Sequence, residues 1–421
     1  VRHLPIATGL PVPLLDVAYA RSQFPAFAEP SLQGQAFFEN AGGSYACVQV
    51  IERLAEYYRR LKLQPYYNYP ASQEAGEWMD TSHTRLAEYL NVGADELHFG
   101  PSTSQNSYVL AQALRKLLKA GDEIIVTNQD HEANSGVWRR LAGDGFTVKE
   151  WQVDPHSAAL DPAALDRLLS ERTRLVTVPQ CSNIVAQINP VAEIARKVHA
   201  AGAVLVVDSV AYAPHGLPDV TALGADVLLF SLYKTFGPHQ GAMVVRKHLF
   251  ERLGNEAHYF NAAYARKRLI PAGPDHAQVA AARGVAEYFD ALDAHHGGGA
   301  AAERPQRVRS LLREAEKPLL QKLLDYLAAR KDLRLLGSAD ANQRAATVSV
   351  SPLRREPAEL IPALAKHGIM AAAGHFYAVR LLEAMGLDPQ RGALRLSFVH
   401  YTSAEEIERL IRSLDLVLGG H

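Results

Sequence analysis

Cysteine is scarce in this chain: Cys47 and Cys181 are the two present among 421 residues. They lie too far apart for a local metal motif and are too few for a disulfide framework, which points to a reducing compartment. Net charge of either sign is also lacking. With 44 Lys and Arg against 45 Asp and Glu the formal charge is −1, so no global field draws the chain to nucleic acid or anionic lipid. No apolar run approaches the ~20 residues that span a bilayer. Arg2, the apolar stretch 6–15 and the triplet Ala18-Tyr19-Ala20 have a faint secretory look, but Pro5, Pro11, Pro13 and Asp16 interrupt it. The expectation is a cytoplasmic protein without a targeting segment. Also missing are a strand-turn-helix Gly-x-Gly-x-x-Gly, a Walker A lysine, a nucleophile elbow and a His-Glu-x-x-His pair. Those absences remove dinucleotide, nucleoside-triphosphate, serine-hydrolase and zinc-protease readings.

What is present is an ordinary globular composition, 48% hydrophobic and 21% charged. The length suits two or three domain-sized units, or one large α/β domain with a smaller partner. Helical apolar spacing covers 48–63 and 74–91. After it, short runs rich in Val, Ile and Leu at 123–127, 175–178, 203–207, 227–230 and 242–245 alternate with helix candidates such as 162–171 and 191–201. Near-continuous apolar strands separated by helices predict a mostly parallel sheet covered on both faces.

Residues 294–305 read as a flexible surface connection. Its pair His295-His296 has no third ligand at useful spacing, so a solvated loop is preferred to a metal site. Beyond it a helix (305–330), strands near 333–336 and 346–351, a helix (357–367), a strand (393–399) and a last helix (403–418) form a smaller α+β domain. The expected division is an N-terminal segment, 1–30, packing with the small domain; a large domain, 31–290; and the small domain, 291–421.

In an open α/β sheet, ligands bind at the carboxyl ends of the strands. Asn128-Gln129-Asp130-His131 follow the first run, Pro179-Gln180-Cys181-Ser182-Asn183 the second, Asp208 the third, and Ser231-Leu232-Tyr233-Lys234 the fourth. Singly, His131 reads as a helix cap, Asn183 as a turn residue, Asp208 as an N-cap or half an ion pair, and Lys234 as a loop lysine in solvent. Four such residues at one edge point to chemistry instead. A lysine in a partly desolvated pocket has a lowered pKa and can form a Schiff base and shuttle a proton. A buried carboxylate beside it suits a protonated pyridine nitrogen, the pairing that makes pyridoxal phosphate an electron sink. Gly100-Pro101-Ser102-Thr103-Ser104-Gln105-Asn106, ahead of a helical stretch at 107–118, offers backbone N–H groups and three hydroxyls to a phosphate; a plain Ser/Thr cap is the alternative.

From Phe24-Pro25 to about Leu418 the chain resembles the class-V aminotransferase family of fold-type-I pyridoxal-phosphate enzymes, in its cysteine desulfurase-like branch. The motifs are Phe38-Glu39-Asn40-Ala41-Gly42-Gly43, Asp130-His131-Glu132-Ala133-Asn134, Val207-Asp208, Ser231-Leu232-Tyr233-Lys234 and Leu394-Arg395-Leu396-Ser397. The resemblance implies an α/β fold, with a seven-stranded, mostly parallel sheet in the large domain and a smaller α+β domain. It implies Lys234 as the lysine that carries the cofactor as an internal aldimine and moves the Cα proton, Asp208 on the pyridine nitrogen, His131 stacked on the ring and Asn183 at the ring hydroxyl. Thr103, Ser104 and Ser231 would hold the phosphate, with Ser102 and Tyr233 also among the cofactor-binding residues. His276 would reach the partner's phosphate across a homodimer interface, and Arg395 would grip the substrate carboxylate.

The departures are equally specific. The loop that carries a mobile persulfide cysteine in desulfurases aligns with Gly374-His375-Phe376-Tyr377-Ala378, and Tyr377 stands at that position. Ala371-Ala372-Ala373 replaces a common arginine, Ala211 a polar ring-hydroxyl partner, and Tyr233 a common histidine. The expected activity is a lyase-type reaction at Cα of an amino acid through an external aldimine, without a persulfide cysteine. Transamination and epimerisation are its alternatives. A non-catalytic pyridoxal-phosphate sensor or carrier, and a Schiff-base lysine enzyme with no cofactor, are readings from other classes. Asn40, Tyr67, Asn68, His375 and Tyr377 are candidates for the substrate pocket, and no metal ligands are expected.

Overall fold

The computed structural model describes residues 14–419; most of the apolar N-terminal stretch lies outside them. Its strands in chain order are β1 (Ala36–Phe37), β2 (Leu97–Gly100), β3 (Glu123–Thr127), β4 (Thr147–Trp151), β5 (Thr173–Pro179), β6 (Val204–Asp208), β7 (Val227–Ser231) and β8 (Gly241–Val245), followed by β9 (Leu333–Leu336), β10 (Thr347–Pro352), β11 (Ile369–Met370), β12 (Ala372–Gly374) and β13 (Ala393–Ser397). Seven of them form one sheet in the order β2-β8-β7-β6-β5-β3-β4. All its neighbours pair parallel except β8, which runs antiparallel to both β7 and β2.

The apolar runs that predicted these strands follow from burial on both faces. Ile125, Val176, Val178, Leu205, Val207, Leu228 and Phe230 enter one core. Their sequence neighbours Ile124, Val126, Leu175, Val206, Val227 and Leu229 enter a second, on the opposite face. A period of two with both phases buried gives a continuous apolar string. A third core lies in the C-terminal part, around the antiparallel sheet β12-β13-β10-β9 and the helices Arg304–Ala329, Pro357–Ala365 and Ala404–Leu418.

The N-terminal stretch is tied to both parts. Arg21 pairs with Glu406 at 2.8 Å, while Phe24 packs edge-on against Phe236, Tyr288 and Tyr401. The helix Arg283–His295 runs into the expected loop, and the Leu292 carbonyl still accepts from the His296 ring. Asp16 takes up both histidines at its end, accepting from His295 and donating its amide to His296. Among the described residues no helix is long and apolar enough to cross a membrane.

Candidate active site

The carboxyl ends of the central strands stand level. Pro179 pairs with Asp208, Asp208 with Leu229, and Ser231 with Gly241. A small pocket of about 90 Å³ opens over this edge. His131, Asn183, Asp208 and Lys234 all line it, each from a different strand end. So do Ser102, Thr103, Ser104, Ser231 and Tyr233.

At the floor, the Asp208 carboxylate is 6% exposed and accepts from the Val210 amide at 2.8 Å. Burial pushes its pKa up to about 6, against the opposing pull of that amide and of Lys234. Burial likewise lowers Lys234 to about 8; the Arg395 guanidinium repels its charge, while Asp208 and Glu39 support it. An amine in that range is a competent nucleophile and base near neutral pH.

His131 does cap a helix. Its Nδ1 accepts from the Ala133 amide at 3.1 Å at the start of the helix Glu132–Arg139. The bond fixes the tautomer, leaving Nε2 to carry the ring proton. Burial, with Lys234 and Arg395 nearby, pulls His131 down to about 3, so it is neutral at physiological pH. The cap therefore orients a ring that also walls the pocket.

Beside it lies a buried hydrogen-bond network whose members were assigned no role above. Asp130 accepts from Thr127 Oγ1 and from Asn134 Nδ2, and Asn134 Oδ1 accepts from Thr177 at 2.9 Å. Burial, with Asp208 adding to it, raises Asp130 to about 7. His239 is a second unforeseen member of the pocket, stacked on Tyr233 with ring centroids 4.5 Å apart. Its signal is absent from any local pattern, because it arrives on the turn after Lys234.

The hydroxyls of Ser102, Thr103 and Ser231 gather at a helix start. Ser102 caps the helix Thr103–Arg115, accepting from the Gln105 amide, and Thr103 Oγ1 lies 2.7 Å from Ser231 Oγ. The turn presses directly on β8: a Cβ at Gly241 would lie 2.4 Å from the Ser102 carbonyl carbon and 2.5 Å from the Thr103 nitrogen. Only glycine admits that approach. A helix N-terminus with clustered hydroxyls favours a phosphate.

These groups fit pyridoxal phosphate. Asp208 suits a pyridinium nitrogen, Lys234 an aldehyde, and the Ser102–Ser104 turn with Ser231 a phosphate. Asn183 supplies an independent sign: its Oδ1 is buried without a hydrogen-bond partner among the described residues, as an acceptor awaiting a ring hydroxyl would be.

Arg395, on β13, is 3% exposed. Its Nη2 donates to Glu39 at 2.9 Å and its Nη1 to the Asn183 carbonyl at 3.3 Å. The Phe376 ring lies 3.7 Å from its Cζ. The loop carrying Phe376 is held by Asn183 Nδ2 on the Phe376 carbonyl at 2.8 Å and by the Glu132 amide on the Tyr377 carbonyl at 2.8 Å. Phe376 and Tyr377 both take left-handed φ, 48° and 59°. Tyr377 is exposed, with its ring 5.2 Å from that of His131. His375 accepts from the Tyr377 amide and shapes the same turn.

Other candidates are not brought in. Asn40 is buried, with Nδ2 donating to the Phe37 and Ser397 carbonyls and Oδ1 accepting from Tyr401; its side chain is committed to holding β1 against β13. Tyr67 and Asn68 line a separate surface depression. His276 lines another groove, with Tyr66 and Phe260, rather than the Lys234 pocket of its own chain.

The family model described as aminotransferase class-V matches residues 36–410. The aminotransferase-like protein FGM3 of Gibberella zeae is 36% identical over 96% of this chain and 98% of its own length. The cysteine desulfurase-like protein ustD of Aspergillus flavus is 28% identical, covering 96% of this chain and 91% of its own. Among solved structures, the cysteine desulfurase of Thermococcus onnurineus superposes with a TM-score of 0.84 at 22% identity over 96% of this chain and 98% of that one. The Escherichia coli cysteine desulfurase CsdA gives 0.81 at 22% identity, covering 96% and 99%. These two fix the fold as that of the fold-type-I enzymes. The match across nearly the whole chain, over a site fitted to the cofactor, makes this protein a member of the class-V aminotransferase family of pyridoxal-phosphate enzymes.

Proposed function

We propose that the protein acts at Cα of an α-amino acid by a lyase-type reaction that uses no persulfide cysteine. The observation that carries this reading is the convergence of Lys234, Asp208, His131 and the hydroxyl corner on one pocket, with Tyr377 rather than a cysteine beside His131. When bound, pyridoxal phosphate supplies an electron sink for negative charge at Cα. Asp208 would hold the pyridine nitrogen protonated, and Thr103, Ser104 and Ser231 would hold the phosphate. His131, neutral and fixed by its cap, would lie against the ring. Lys234 would take the proton from Cα and return it, its pKa of about 8 matching that work near neutrality. Arg395 would bind the α-carboxylate through its guanidinium, orienting the Cα–H bond.

The two cysteines support a mechanism without a persulfide. Cys47 and Cys181 are buried, and burial pushes each thiol up to about 12, whereas sulfur transfer needs a mobile thiolate. Two unpaired thiols also suit a cytoplasmic setting. Exposed Tyr66 and Phe260, which line the groove of His276, support a homodimer in which His276 faces the partner's phosphate.

Transamination is the second reading, favoured by the name of the 36%-identical relative. Visible spectra of the holoenzyme mixed with single amino acids and no keto acid separate the two. Continued release of keto acid with the cofactor band restored identifies the lyase. A single conversion to the amine form, with one equivalent of keto acid, replaces it with a transaminase.

A further inference from the structure

The Arg395 guanidinium already holds a carboxylate. Glu39 Oε1 accepts from Nη2 at 2.9 Å, and the two side chains are 29% and 4% exposed. The remaining guanidinium contacts leave an opening: Nη1 reaches only a carbonyl at 3.3 Å, and Nε is buried without a partner among the described residues. A buried guanidinium with no counter-ion is costly, so a resident carboxylate stabilises the ligand-free site.

The backbone around Glu39 is fixed independently of that side chain. Residues 39–41 lie along β13, with Glu39 bridged to Ser397, the Asn40 amide on the Ser397 carbonyl and the Ala41 amide on Ser397 Oγ. The Glu39 carboxylate folds back over Gly42. A Cβ there would stand 2.1 Å and 2.2 Å from its two oxygens. The bare glycine is thus the seat on which the carboxylate rests while it meets Arg395.

We propose that Glu39 is a resident surrogate for the substrate's α-carboxylate, and that substrate binds by exchanging with it on Arg395. The exchange keeps the charge around Arg395 constant: one carboxylate enters while the other swings toward solvent, to which Glu39 is already partly open. It sets a threshold, because an uncharged group cannot replace an ion in that seat. The affinity measured for any carboxylate is lowered by the fraction of time Glu39 holds the guanidinium. This inference rests on the reading of Arg395 as the substrate's carboxylate ligand.

The test is a calorimetric titration of the holoenzyme with propionate, and with propionamide as its uncharged counterpart. Two variants release Arg395 by different routes. Glu39→Gln removes the charge, and Gly42→Ala keeps Glu39 but fills its seat, at a backbone position whose φ suits any residue. Since a hydrogen bond between charged groups contributes about 1.5–3 kcal/mol, each variant should tighten propionate roughly tenfold or more and leave propionamide unchanged. Propionate binding that is equal to or weaker than wild type in both variants overturns the exchange. Arg395→Gln separates the two layers. If it abolishes propionate binding while the other variants fail to tighten it, the exchange alone is wrong; if propionate binds Arg395→Gln as well as wild type, the carboxylate role of Arg395 falls and the exchange with it.

Discussion

Gly241→Ala is the most direct probe of the phosphate cradle, because it changes no group that touches a ligand. The added Cβ would stand 2.4 Å from the Ser102 carbonyl carbon, where ordinary contacts begin near 3.4 Å. Both partners are backbone, one in a strand paired to β2 and β7, so the Ser102–Thr103 peptide must retreat by about 1 Å. Thr103 moves with that peptide, which disturbs its 2.7 Å contact with Ser231 Oγ and the placement of its hydroxyl. At least one charge-assisted bond to the phosphate is then lost, about 1.5–3 kcal/mol, which corresponds to roughly 10- to 100-fold in affinity. The assay is absorbance titration of the apoprotein with pyridoxal phosphate and, separately, with pyridoxal. Pyridoxal phosphate should weaken by that factor while pyridoxal is unaffected. Equal affinity of Gly241→Ala and wild type for pyridoxal phosphate, or a parallel loss for pyridoxal, would refute the assignment of this corner to the phosphate.

Two further outcomes follow from buried ionisable groups. The neutral amine is the form that attacks an aldehyde, so the rate of pyridoxal phosphate uptake by the apoprotein should rise with pH through a midpoint near 8, the value to which burial and Arg395 bring Lys234; Arg395→Met should move that midpoint upward, and a wild-type rate still climbing towards pH 10 would contradict the lowered pKa. His98 is buried against Phe250 with neither ring nitrogen partnered among the described residues, and burial lowers it to about 3. The unfolded chain therefore binds the extra proton between about pH 6.5 and 3, stability is fully present above that window and lost as pH falls through it, and His98→Phe should lose less urea-unfolding stability than wild type between pH 7.5 and pH 5.

How much of this could be read in advance follows the physics of each element. The central strands were legible because both of their faces are buried, so hydrophobicity marks every residue. The edge strand β4, with its exposed and intermediate side chains, carries no such string, and β2 is four residues interrupted by His98. The helices His276–Ala281 and Arg283–His295 are largely buried, and a helix apolar on most sides shows little period. The helix after β2 begins at Thr103 rather than 107, because Ser102 supplies the cap. Lys234, Asp208, His131 and Asn183 were legible because strand ends announce them. Glu39 and His239 were not: Glu39 meets Arg395 through a bridge to Ser397 and His239 reaches the pocket on the bend after Lys234, and no pattern along the chain encodes such meetings.

The antiparallel course of β8 has a mechanical result. It returns the chain to the sheet edge it has just left, so Lys234 lies on a short connection clamped at both ends by the pairing of Ser231 with Gly241 and by the Leu232 amide on the Gln240 carbonyl. A lysine mounted this way is a pivot with a fixed base: its amine moves by rotating its own side-chain bonds while the main chain stays put. The loop 374–378 comes from the C-terminal part of the chain and is fastened beside the pocket by hydrogen bonds to Asn183 and Glu132. Two sequences sharing the same pivot can therefore direct the same proton to different ends, and the residues packed beside the pocket, here Tyr377 near His131 and Phe376 over Arg395, are where such a difference would be written.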